Sequence, residues 1–159
     1  MIRPATLTDA HALAGLENSS FDSDRISPRQ FRYLLTRGRV SLLVDERENE
    51  LCGYVLVFYR TGTSLARLYS LAVSSGHQGQ GTGRALVIAA EQAARDRDCA
   101  AMRLEVRRDN PTSLALFASL GYRQFGHYPN YYQDHMEALR FEKKLLQFLS
   151  HSSGEIHTP

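Results

Sequence analysis

Cysteine is scarce in this chain of 159 residues: there are two, Cys52 and Cys99, and no Cys-x-x-Cys pair. Neither a disulfide framework nor a thiolate metal site is implied, and no metal is expected. Both thiols are expected free in a reducing cytoplasm. An excess of one charge is lacking too, because 19 Lys and Arg against 17 Asp and Glu leave a net +2. That is too little to argue for nucleic acid or an anionic membrane. No apolar run approaches the roughly eighteen residues that a membrane span requires. Met1-Ile2-Arg3-Pro4 opens without the apolar segment of a signal peptide. Repeats are absent. What is expected is a cytosolic single domain over residues 1–146, long enough to bury a core. Residues 147–159, rich in Ser and His, are expected as a disordered tail.

What is present alternates. Ile2 to Ala5 reads as a short strand, and Thr8-Asp9 as a helix start with Ala12, Leu13 and Leu16 on one face. Ser27-Pro28 gives a capping hydroxyl and a first-turn proline to a second helix ending near Gly38. Val40 to Asp45 and Leu51 to Tyr59 are β-rich runs around the charged turn Glu46 to Glu50, and Thr61-Gly62-Thr63 leads into Leu65 to Val73. These three strands are expected as antiparallel neighbours. A helix to about Asp96 follows, then a strand from Ala101 to Val106. A helix begins at Asn110-Pro111 and ends at Gly121, and a strand pair, Arg123 to Tyr128 and Met136 to Leu145, closes the chain. The order β-α-α-β-β-β-α-β-α-β-β fits an α/β sheet with helices on both faces.

The segment Gln78-Gly79-Gln80-Gly81-Thr82-Gly83-Arg84 sits between strand and helix and carries three glycines in five positions. Bare backbone lets a ligand approach closely. The unpaired first amides of a helix, together with its dipole, attract a phosphate or pyrophosphate. Arg84 adds a fork of donors. A tight turn without ligand is the plain alternative. A Walker loop fails, because no Gly-Lys-Ser/Thr follows at the required distance. A dinucleotide fingerprint needs a sixth-position glycine where Arg84 stands. Glu105, about twenty positions on, keeps that weaker alternative open.

Taken together, these residues are similar to the GCN5-related N-acetyltransferases, and most like the bacterial ribosomal-protein-alanine N-acetyltransferases. Gln78 to Gly83 matches the superfamily signature Gln/Arg-x-x-Gly-x-Gly/Ala, after the strand Ser70-Leu71-Ala72-Val73. Asn110 to Ser113, Leu116-Phe117 and Leu120-Gly121-Tyr122 match the second signature. Leu104-Glu105-Val106-Arg107 and Asn130-Tyr131-Tyr132 resemble segments of the ribosomal subgroup. The resemblance implies a mixed sheet of about six or seven strands flanked by about four helices, with acetyl-coenzyme A as cosubstrate. Under it, amides from Gly79, Gln80, Gly81, Thr82, Gly83 and Arg84 bind the pyrophosphate, with Gln78 opening the loop. Leu71, Ala72 and Val73 pair with the pantetheine arm, and the Val73 amide polarises the thioester. Asn110, Ser113 and Phe117 lie near the pantetheine end.

Acetyl transfer needs a neutral amine, a stabilised oxyanion and a departing thiolate. An α-amino group with pKa about 8 loses its proton more cheaply than lysine at about 10.4. The resemblance makes Glu105 the base, through a water, and a backbone amide the oxyanion donor. The plain reading of Glu105 is a solvated carboxylate or a partner for Arg103 or Arg107. Relatives carry tyrosine where this chain has Phe117, so a thiol with pKa about 8.5 leaves without that acid. Tyr131 or Tyr132 is the expected substitute, against ordinary packing. Phe21, Asp22 and Asp24, in the loop Asn18 to Arg25, are expected either near a cationic acceptor or in an ordinary solvated loop. The acceptor is expected to be a peptide N-terminus or a small-molecule amine, and the protein a monomer or homodimer. The competing classes are a noncatalytic acyl-coenzyme A-binding module and, more distantly, a nicotinamide enzyme.

Overall fold

A computed structural model describes residues 1–21 and 24–145. The expected tail and Asp22 lie outside the described residues. Two compact units are present, one built from residues 1–59 and 68–90, the other from residues 60–67 and from 91 onward.

The first unit begins with strand β1 (Ile2–Pro4), a single 3-10 turn at Leu7–Asp9, and helices α1 (Ala10–Ser20) and α2 (Pro28–Arg37). Asp9 organises the start, accepting from the Thr6 amide at 2.7 Å and from both terminal nitrogens of Arg3 at 2.8 and 3.0 Å. Ser27 and Gln30 form a reciprocal capping box, 3.1 and 2.8 Å, with Pro28 in the first turn. On α1 the buried face is Ala10, Leu13, Ala14, Leu16 and Glu17, while Ala12 is exposed. The expected stripe is thus rotated toward Glu17, a charged residue that no apolar count would place inside.

Strands β2 (Val40–Arg47) and β3 (Glu50–Tyr59) are antiparallel, with Val44 opposite Tyr54. The expected five-residue turn shrinks to Glu48 and Asn49, both at positive φ (52° and 66°). That pair of left-handed residues matches the twist of the flanking strands. Leu13, Phe31, Leu42, Val44, Tyr54 and Leu56 form the core, with Phe31 edge-on to Tyr54 at 5.6 Å. Glu17 is 1% exposed. It accepts from the Tyr54 hydroxyl, from the Ile26 amide at 2.8 Å and from Ser70 Oγ at 3.3 Å. A buried carboxylate survives in a core when its lone pairs are used in this way. Burial, with the Glu17 charge second, pushes the Tyr54 hydroxyl pKa well up.

Strand β4 (Leu65–Val73) runs from the second unit into the first, and helix α3 (Thr82–Asp96) runs back. The second unit adds β5 (Ala101–Arg107), α4 (Pro111–Ser119), β6 (Arg123–Tyr128) and β7 (Ala138–Lys144). The seven strands hydrogen-bond in the order β1-β2-β3-β4-β5-β7-β6. This is the expected mixed sheet, flanked by four helices. β5 runs parallel to β4 through three pairs, Leu65 to Arg67 against Ala101 to Arg103, and antiparallel to β7 along its whole length. Both cysteines are free and buried.

Candidate active site

In the first unit the glycine loop leaves β4 through a turn held by Ser74, whose Oγ lies 2.7 Å from His77 Nδ1. The Gln78 side-chain amide donates to the Val73 carbonyl at 3.3 Å, tying the start of the signature to the end of β4. Gly79 and Gly81 stand at φ +78° and +82°, and a methyl group on either would meet nothing within 4 Å. Backbone conformation, not crowding, therefore requires glycine here, and the loop's outer side is open. The Ala85 amide bonds back to the Gly81 carbonyl at 3.0 Å, so the amides before it form the open start of α3. Arg47 braces the loop, donating to Gln80 Oε1 at 3.3 Å and Thr82 Oγ1 at 3.2 Å, while its other contact is Asp45 at 3.1 Å. Sequence reasoning missed Arg47, whose distance along the chain hides the contact. An open, amide-lined, cationic loop fits a pyrophosphate.

Gly53 adds a constraint on β4. A methyl there would sit 2.8 Å from the Ala72 carbonyl and 3.0 Å from Leu86 Cδ1. Glycine thereby lets β3 approach the backbone of the Leu71–Val73 segment closely.

In the second unit Glu105 is the centre of a charged cluster. Its side chain is 8% exposed. Arg67 grips Oε1 with Nη2 at 2.5 Å and Nε at 3.1 Å, and Arg140 Nε lies 3.8 Å from Oε2. Arg103 and Arg107 are not its partners: Arg103 pairs with Glu142, and Arg107 with Asp109 and Asp134. Strand register explains the correction, because Glu105 lies directly opposite Arg140 and Arg103 opposite Glu142. The sequence shows only neighbours along β5, not those across it.

Arg67 also reaches the tyrosine loop, donating to the Tyr131 hydroxyl at 3.1 Å. Tyr131 stacks on Tyr128 at 5.3 Å and meets Tyr132 edge-on at 5.0 Å. The Arg107 guanidinium lies 4.8 Å over the Tyr132 ring. It also holds Asp134 at 2.6 Å, and this keeps the Asp134 carboxyl below the usual carboxylate range. Burial first, then Tyr131, pushes the Tyr132 hydroxyl up to about 12. Tyr132 therefore keeps its proton at neutral pH, and its hydroxyl is available as a donor. Arg140 is sandwiched by Phe125 at 4.6 Å and Tyr128 at 4.3 Å, and its buried Nε has no hydrogen-bond partner among the described residues.

Asn110 caps α4, its Oδ1 accepting from the Ser113 amide at 3.1 Å. Phe117 is 4% exposed and edge-on to Tyr122 at 5.3 Å. The expected site residues thus fall into two sets. Leu71 to Val73 and Gln78 to Arg84 belong to the first unit, and Glu105, Asn110, Ser113, Phe117, Tyr131 and Tyr132 to the second.

Residues 8–122 match the model of the acetyltransferase (GNAT) family. The chain belongs to that family. It is 27% identical over 136 residues to a putative [ribosomal protein bS18]-alanine N-acetyltransferase of Bacillus subtilis, covering 86% of this chain and 89% of the relative. Among solved structures, the ribosomal-protein-S18-alanine N-acetyltransferase from Escherichia coli superposes with a TM-score of 0.81 at 24% identity, over 91% of this chain and 93% of that one. A chain of the NatC complex bound to Gag peptide and CoA gives 0.78 at 20% identity, over 91% and 98%. As a GNAT member the protein is an acetyltransferase, and the GNAT family uses acetyl-coenzyme A. Among the described residues no helix is long and apolar enough to cross a membrane, and no group of His, Cys, Asp and Glu could hold a metal.

Proposed function

We propose that this GNAT protein acetylates a peptide N-terminal α-amino group, with residues 1–146 acting as one catalytic domain in the cytoplasm. The observation that carries the reading is the nearly buried Glu105 carboxylate, fixed by Arg67 beside the Tyr131 hydroxyl. Acetyl-coenzyme A supplies the acyl group as a thioester. In this reading the amides from Gly79 to Arg84 hold its pyrophosphate, with Gln78 setting the loop. Leu71, Ala72 and Val73 present backbone to the pantetheine arm, and Asn110, Ser113 and Phe117 contact its far end. Glu105 takes a proton from the acceptor ammonium, through a water, before nitrogen bonds to the acyl carbon. The Val73 amide stabilises the oxyanion. The C–S bond then breaks. Tyr132, protonated at neutral pH, gives its proton to the departing sulfur in place of Phe117 and regains one from the acylated nitrogen, which sheds its second proton as the amide forms, and Tyr131 orients Arg67.

An α-amino acceptor is favoured over lysine by its lower pKa. The relatives point the same way, since the B. subtilis protein carries a ribosomal-protein-alanine acetyltransferase name. A small-molecule amine is the second acceptor class. The test is an acceptor panel of ribosomal-protein N-terminal peptides, polyamines, aminoglycosides and amino acids, with acetylated product read by mass spectrometry. We expect product from peptides and thiol release that depends on them. Coenzyme A binding with no product from any acceptor refutes the reading and favours a noncatalytic module.

A further inference from the structure

The first unit holds a second feature, apart from the glycine loop. A pocket of ≈ 470 Å³ lies at α2, lined by Ile26, Tyr33, Leu34, Phe58 and Tyr69 with Arg29. Two of its aromatics remain well exposed, Tyr33 at 61% and Tyr69 at 46%, and Phe58 meets Tyr69 edge-on at 5.0 Å. Exposed aromatic rings around a concavity mark a binding surface more than a folding core.

Its charge is one-sided. From Arg25 to Val44 the chain carries five arginines (25, 29, 32, 37 and 39) and no acidic residue. Among the described residues Arg29, Arg32 and Arg37 make no ion pair. Five of the chain's 19 Lys and Arg thus fall on this helix and its flanks, with the nearest acids, Asp22 and Asp24, just before Arg25. An acidic ligand is attracted there, and a basic one repelled.

Tyr69 also ties the pocket to the proposed chemistry. It stands on β4 four residues before Val73, about 13 Å along a strand rising roughly 3.3 Å per residue. An extended acceptor spans that distance in about four residues.

We propose that this pocket selects the acceptor: a peptide with an aromatic or aliphatic side chain about four residues from its amino end, flanked by acidic residues. The inference rests on the acetyltransfer reading for the acceptor's orientation. Arg29 and Arg32 supply the charge selection, and Tyr33, Phe58 and Tyr69 the apolar contact.

The test uses three labelled peptides with a free amino terminus: Ala-Glu-Asp-Phe-Asp, Ala-Lys-Arg-Phe-Lys, and the acidic peptide with alanine for phenylalanine. Affinity is read by fluorescence anisotropy with coenzyme A present, and acetylation separately by mass spectrometry. We expect the acidic aromatic peptide to bind about tenfold more tightly than either of the others, a difference of about 1.4 kcal/mol. Arg29→Glu with Arg32→Glu should invert the charge preference and leave the KM for acetyl-coenzyme A unchanged. Equal affinities, a preference for the basic peptide, or no response to charge reversal overturns the proposal. So does a single-stranded RNA oligomer that displaces the peptide at equal concentration, since it would mark a nucleic-acid surface. Selective binding without acetylation upholds the pocket's charge and aromatic preference but counts against a peptide acceptor, whereas acetylation without charge preference overturns this inference and leaves the acetyltransfer reading standing.

Discussion

Removing either partner of the Arg67–Glu105 pair measures how firmly the proposed base is held. The pair has two short contacts, 2.5 and 3.1 Å to one carboxylate oxygen. Exposure is unequal: the Glu105 side chain is 8% accessible and that of Arg67 46%. Fully exposed pairs are worth about 0.2–1 kcal/mol, and breaking a buried pair costs about 3–5 kcal/mol. Arg140 at 3.8 Å retains part of the compensation when Arg67 is lost. A coupling of about 1–2 kcal/mol follows between those limits. The assay is a double-mutant cycle of Arg67→Ala, Glu105→Gln and the double variant, followed by urea unfolding. Glu105→Gln keeps the shape while removing the charge. It should also lower kcat by about 10²-fold with the KM for acetyl-coenzyme A unchanged. Stability losses that add to within about 0.3 kcal/mol would show that the two groups sit together without interacting, and would refute the reasoning.

Three further outcomes are expected. Gly81→Ala forces an L side chain into φ +82°; it should cost about 1–2 kcal/mol and raise the KM for acetyl-coenzyme A, both read on one purified variant. Gly53→Ala drives a methyl to 2.8 Å from the Ala72 carbonyl, so thermal unfolding should show a loss of about 1–3 kcal/mol, and an unchanged Tm would contradict the close approach. Arg3 hydrogen bonds are the largest cause holding the Asp9 carboxyl below its ordinary value of about 3.9. Its folded pKa is depressed, so its stabilisation is complete above that value and fades as pH falls through the lower one. The stability gap between the protein and Asp9→Asn should therefore narrow between about pH 5 and pH 3; a gap constant over that range would sink the assignment.

The fold was legible where local chemistry decides it. Ser27-Pro28 announces α2, alternation announces β5, and Asn110-Pro111 announces α4, each within a residue or two of the observed start. The Gln78-to-Gly83 spacing likewise points to the family from the sequence alone. Legibility failed where the deciding partner is distant in sequence. Glu17 looks like a surface acid on α1 until Tyr54 and Ser70, far along the chain, arrive to satisfy it. Glu105 looked toward Arg103 and Arg107, because periodicity says which residues share a strand but not which strand lies beside it. Arg47 and Arg67 were invisible for the same reason.

The ladder between β5 and β7 has a consequence for folding fidelity. Glu105 faces Arg140 and Arg103 faces Glu142, two opposite-charge rungs separated by Leu104 against Phe141. A slip of one residue would set Glu105 against Leu139 or Phe141 and turn the charged side chains of the slipped strand toward the opposite side of the sheet. Mispaired strands would thus bury unmatched charge, a penalty that a purely apolar ladder would lack. The carboxylate proposed to move a proton therefore also serves as a checksum on strand pairing, so that only a correctly aligned sheet carries its base in place.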